Sequence, residues 1–166
     1  MLAILANCDI MVTSNDEREK IMGTRSLTYV FTERNEFQGK VYEPRPLICM
    51  YRQYDGYPTG HGKEIAEFLD GMKVVNGLGS ETEKLANGMG CLAAQLVANF
   101  KVEAGQFYME EARLQNDCGQ DFEYHVYADK VEIIKIGSNN DNVIFSGTWA
   151  ELKEYCSKER YEDLAA

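Results

Sequence analysis

A chain of 166 residues with 17 Lys and Arg against 27 Asp and Glu has a formal charge of −10, which excludes a general grip on duplex phosphates, since that needs a basic surface. At 45% hydrophobic, with one Trp, ten Tyr and seven Phe, it holds enough apolar material for one sizeable core but is too short for two ordinary domains. Five cysteines (Cys8, Cys49, Cys91, Cys118, Cys156) show neither CxxC pairing nor zinc-ligand spacing, so the expectation is reduced thiols in a cytoplasmic protein with no metal and no cofactor.

Met1 to Met11 is apolar but lacks a basic leader, is broken by Asn7 and Asp9, and is far too short to span a bilayer. No membrane partner is expected. Residues 1–21, ending in the charged run Asp16 to Lys20, read as an N-terminal extension, disordered or a helical arm, ahead of a single ligand-binding domain over 22–166. Leu27, Tyr29 and Phe31 alternate with Ser26, Thr28 and Thr32 and predict a first strand. After a polar connection from Glu33 to Pro46, Leu47 to Gln53 predicts a second, more buried strand paired with the first.

Lys63 to Leu69 carries apolar residues at helical spacing, with Gly71 placed to stop a helix that starts near Gly60. Ser80-Glu81-Thr82-Glu83 has capping-box spacing for a short helix, and Met89, Leu92, Ala93, Leu96, Val97 and Phe100 form the apolar stripe of a core helix. Strands are expected at Phe107 to Met109, Phe122 to Tyr127 and Val131 to Ile136, the last two joined as a hairpin at Asp129-Lys130. Val143 to Phe145 adds an edge strand, and Thr148-Trp149-Ala150-Glu151 caps a closing helix through Cys156. Together these elements predict an α+β domain with a mainly antiparallel sheet and two to four helices.

The densest chemistry lies between the second strand and the first helix, in Tyr51-Arg52-Gln53-Tyr54-Asp55-Gly56-Tyr57-Pro58-Thr59-Gly60-His61-Gly62. Tyr54 and Tyr57 offer stacking faces, Arg52 a planar cationic fork, Asp55 an acceptor, and His61 a titratable donor between Gly60 and Gly62 at a helix start, where main-chain N–H groups favour anions. Arg25 on the neighbouring strand is expected to complete a clamp with Arg52 for a phosphate or carboxylate. This is neither a P-loop nor a dinucleotide fingerprint. If the site is catalytic, His61 is the general base and Asp55 its orienter; His125 is read as an exposed strand residue.

The blocks Met22-Gly23-Thr24-Arg25-Ser26-Leu27-Thr28, Tyr51 to Pro58 with Gly60-His61-Gly62, Asn87 to Ala93, and Cys118 to Tyr124 resemble an uncharacterised family of small proteins from tailed phages and scattered bacteria. The resemblance runs through most of the chain from Met22 onward and implies a setting but no catalytic residues. In that setting the expectation is a binder that sequesters a nucleotide second messenger of host defence, of the cyclic dinucleotide or cyclic ADP-ribose type. The alternatives are a small phosphodiesterase or nucleotide hydrolase, and an acidic interaction module that inhibits a host protein, either of them compatible with a homo-oligomer.

Overall fold

The computed structural model describes residues 23–77, 84–137 and 141–158. The extension over residues 1–21, Cys8 and the capping box at Ser80 to Glu83 lie outside the described residues. Ten strands and three α-helices follow in chain order: β1 (Ser26–Phe31), β2 (Asn35–Phe37), β3 (Lys40–Tyr42), β4 (Pro46–Arg52), a π-helical turn (Pro58–Gly62), α1 (Lys63–Leu69), β5 (Lys73–Val75), β6 (Leu85–Asn87), α2 (Gly88–Phe100), β7 (Phe107–Glu110), β8 (Phe122–Val126), β9 (Val131–Lys135), β10 (Asn142–Gly147) and α3 (Trp149–Lys158). Six strands make one sheet in the order β10-β9-β8-β1-β4-β7. Neighbours are antiparallel except β1 and β8, which run parallel. This is the expected α+β fold in a single domain.

The chain pattern accounts for most of these elements. β1 and β4 pair as expected, although their polar connection itself folds into the small hairpin β2–β3. α1 ends where Gly71 takes φ 72°, a left-handed conformation that favours glycine. At the start of α3 the box closes in both directions: the Thr148 hydroxyl and N–H donate to Glu151 Oε2 at 2.8 and 2.7 Å, and Thr148 Oγ1 accepts the Glu151 N–H at 3.3 Å. The short parallel pair β5–β6 has no counterpart in the expected elements.

All six residues of β1 are buried, because the sheet is covered on both faces. Val30 and Met50 join Ile65, Leu92, Leu96 and Leu152 in the larger core, against the helices. Leu27, Tyr29, Phe31 and Cys49 form a smaller cluster on the reverse face, with Cys118 packed against it. Side chains alternate across a strand, so this division decides on which side every chemically active residue emerges.

Candidate functional site

β4 ends at Arg52, opposite Ser26 of β1 in the ladder, and Tyr51 stands opposite Leu27. Arg52 therefore shares the helix-facing side with Met50 and lies only 3% exposed beneath α1, while Tyr51 takes the reverse face. The chain then turns through Asp55 at φ 55° and passes so close to β1 that a Cβ on Gly56 would stand 2.8 Å from the main chain of Arg25 and Ser26. The Gly56 N–H donates to Thr24 O at 2.9 Å and its carbonyl accepts the Tyr124 hydroxyl at 2.8 Å, so the turn is fixed to the segment leading into β1 and to β8.

The glycines that follow serve close packing. A Cβ on Gly60 would meet Asp55 O at 2.6 Å, and one on Gly62 would meet Cys156 Sγ at 3.0 Å and the Tyr124 ring at 3.1 Å. The N–H groups of Gly60 and Gly62 donate to Tyr57 O at 3.0 and 3.4 Å, and that of His61 to Asp55 O at 2.9 Å. An anion cradle at this helix start needs those three donors free. They are spent inside the π-helical turn, which corrects the expected role of Gly60 and Gly62.

The His61 ring has zero exposure and sits among Phe100, Tyr124 and Phe107 with ring centroids 5.0, 5.3 and 5.6 Å away. Arg52 Nη1 lies 2.9 Å from His61 Nδ1, and Thr28 Oγ1 lies 2.8 Å from Nε2. Because a guanidinium only donates, Nδ1 is the acceptor, and the neutral ring carries its proton on Nε2 and donates it to Thr28. Burial lowers the His61 pKa from 6.5 to about 4 and the nearby Arg52 charge adds to this, outweighing the Glu64 carboxylate that pulls the other way.

Glu64, three residues on and in the first turn of α1, is the acid of this network. Its carboxylate accepts Arg52 Nη1, and Nη2 stands 3.4 Å from its other oxygen. Burial alone raises a carboxyl group, but the hydrogen bonds and the charge of the Arg52 guanidinium outweigh it and hold Glu64 at about 2. Arg52 Nε donates to Tyr54 O, and the guanidinium carbon lies 5.1 Å from the Phe107 ring centroid. Arg52 thus binds β4, the turn, α1 and β7 together.

The remaining expected residues diverge from this centre. Asp55 reaches His61 only through its main-chain carbonyl; its side chain hydrogen bonds Tyr57, whose pKa is raised by burial and then by that carboxylate. Tyr54 is 45% exposed on the outside of the turn. The Arg25 guanidinium lies on the reverse face, 3.0 Å from where a Cβ on Gly119 would be, so it and Arg52 cannot clamp one anion. His125, expected to be exposed, is 7% exposed on that same reverse face, because its ring packs against Tyr29 and Phe31 with centroids 5.1 and 5.2 Å away and pairs with Glu123 Oε2 at 2.9 Å.

Over Arg52 opens a cleft of about 520 Å³. Arg52 and Glu64 form its base, Phe68, Phe100 and Phe107 its apolar wall, and Glu67, Lys84, Asn99 and Gln106 its polar rim. Lys84 Nζ reaches the carbonyls of Glu67 and Asp70 at 3.3 and 3.2 Å, capping the end of α1. Of the expected ligand residues only Arg52 lines this cleft. Glu64 was within reach of the sequence, being one helical turn from His61; Gln106 and Phe107 arrive only through the β4–β7 pairing, and Asn99 from the end of α2.

Among the described residues no cluster of three or more His, Cys, Asp or Glu is arranged to hold a metal ion, and no helix is long and apolar enough to cross a membrane. Comparison with protein-family models, curated proteins and solved structures finds no match to this chain.

Proposed function

We propose that the cleft over Arg52 binds a small planar anion of nucleotide type, and that the protein holds this ligand without converting it. The observation that carries the reading is Arg52 itself, a buried guanidinium whose anionic partner, Glu64, has a side chain 45% exposed at the cleft base. A phosphate or carboxylate that displaces Glu64 gains a preorganised, partly desolvated fork without the cost of ordering it. Phe68 and Phe100 favour a flat apolar ring above, and the Asn99 and Gln106 amides supply donors and acceptors for its edge.

Two further features support this reading. Among the described residues the cleft lining carries two cations and two carboxylates, a balanced set in a chain of net charge −10. Its lining, among the described residues, contains no Ser, Thr, Cys or His, and the nearby His61 is sealed, neutral and hydrogen bonded at both ring nitrogens. That favours retention over turnover. With the resemblance to small phage proteins, the role we favour is sequestration of a nucleotide second messenger used in host defence.

The test is calorimetric titration with mono-, di- and cyclic nucleotides, with chromatographic analysis of each mixture afterwards. Binding of an unchanged nucleotide is expected, with Arg52→Lys weakening it roughly tenfold or more, since an ammonium cannot reproduce the fork. A converted nucleotide would replace the binder with a hydrolase. No binding by the wild-type protein would remove the nucleotide reading.

A further inference from the structure

The sheet ends at β7, and among the described residues β4 is its sole neighbour. Gln53 N–H donates to Gln106 O at 3.0 Å, so the main chain of Gln106, and by alternation that of Tyr108 and Glu110, faces β4. Phe107 and Met109 therefore turn their N–H and C=O groups away from β4, and the Phe107 N–H donates to Gly105 O at 2.7 Å. The Phe107 carbonyl points to the edge and accepts Lys101 Nζ at 2.8 Å. Met109 is 51% exposed and Tyr108 46%, beside a hollow of about 300 Å³ lined by Met50, Val97, Lys101, Phe107, Tyr108 and Met109. The edge is thus open at Met109, and an open position flanked by exposed apolar side chains is a template for another strand.

We infer that β7 pairs antiparallel with β7 of a second copy of this chain about a two-fold axis at Met109, joining the two sheets into one. Residues opposite one another across an antiparallel ladder share a face, so a symmetric register must place a residue against itself. With Met109 on the axis, the two copies exchange Met109 N–H and C=O, and each Phe107, whose carbonyl holds Lys101, stands opposite Glu111 of the other. The charges select the same register. Lys101 reaches the edge at Phe107, directly opposite Glu111 of the second copy, and the contact occurs twice by symmetry. Tyr108 faces Glu110 of the second copy and no two carboxylates are placed opposite one another. Each Met109 side chain, on the helix side of the sheet, fills the hollow beside Met50 and Val97. The pairing brings Ala112 of the second copy opposite Gln106 at the rim of the cleft, and it stands independently of what the cleft binds.

Sedimentation velocity over a concentration series at about 0.15 M salt tests this, with far-UV circular dichroism and thermal melts on every variant. A reversible dimer is expected for the wild-type protein. Met109→Pro removes an outward N–H without touching the β4 ladder, so it should give a folded monomer. Lys101→Glu should weaken the dimer tenfold or more by facing two carboxylates, and Lys101→Glu with Glu111→Lys should restore it. A wild-type monomer up to about 0.1 mM would overturn the proposal. So would a dimer that survives Met109→Pro, or a charge exchange that fails to restore association; should Met109→Pro not fold, the charge exchange alone decides.

Discussion

Acidification should destabilise this protein over a window set by His61. In the unfolded chain an imidazole titrates near 6.5, whereas burial in the folded protein lowers His61 to about 4. Between those values the unfolded state binds the extra proton, so stability is fully present above about pH 6.5 and is lost as the pH falls towards about 4. The interval is about 2.5 pH units at roughly 1.4 kcal/mol each, or about 3 kcal/mol, with no discount for solvent because the ring has zero exposure. Glu64 acts in the same direction lower down: its folded value of about 2 means that its contribution is lost as the pH falls below about 4.5. The assay is urea unfolding from pH 7.5 to 4.5, comparing the wild-type protein with His61→Gln, which can still bridge Arg52 and Thr28 but cannot titrate. The wild-type curve should fall more steeply below pH 6.5, and parallel curves would refute the reasoning. If His61→Gln does not fold, a nuclear magnetic resonance titration of the wild-type imidazole settles the point, since a midpoint near 6.5 is incompatible with this burial.

Removing Arg52 alone should cost more than removing it with Glu64: Arg52→Met is expected to destabilise by about 1–3 kcal/mol, a figure held down because the carboxylate left behind is 45% exposed, and Arg52→Met with Glu64→Gln by less, as read from denaturant midpoints. Gly62→Ala should lose about 1–3 kcal/mol, because the new methyl group meets Cys156 Sγ and the Tyr124 ring; a neutral melt would show that α1 and α3 can part there. Thr148→Ala opens the capping box of α3 and should cost about 1 kcal/mol in thermal or chemical unfolding, without altering the sheet signal in circular dichroism.

The elements of the fold were legible where one residue pattern has one structural meaning. Leu27, Tyr29 and Phe31 define a strand by alternation, Met89 to Phe100 a helix by its stripe, and Thr148 with Glu151 a helix start by spacing, and each forms as expected. The site was legible only in part: Arg52 and His61 were both recognised, but the structure brings Arg52 to the cleft and seals His61 away from it. A glycine between bulky residues suits both an anion and a tightly packed neighbour. At Gly56, Gly60 and Gly62 it is the neighbour, and the donors an anion needs are already engaged.

By itself the sequence determined that a chemically dense turn joins the second strand to the first helix, and that Arg25 and Leu27 share one side of β1 and Ser26 and Thr28 the other. Only the tertiary structure decided what covers each side. β1 is buried on both faces, and its more polar side, Ser26 and Thr28, is the one turned towards the helices, so the alternation that marks the strand does not tell which side meets the main core. The β1–β4 register, set across an intervening hairpin, then turns Arg52 under the helices and leaves Arg25 on the reverse face. The pairing of β7 with β4 brings Phe107 and Gln106 to Arg52 across more than fifty residues of chain, a contact that depends on the sheet's strand order and is not encoded in any local pattern.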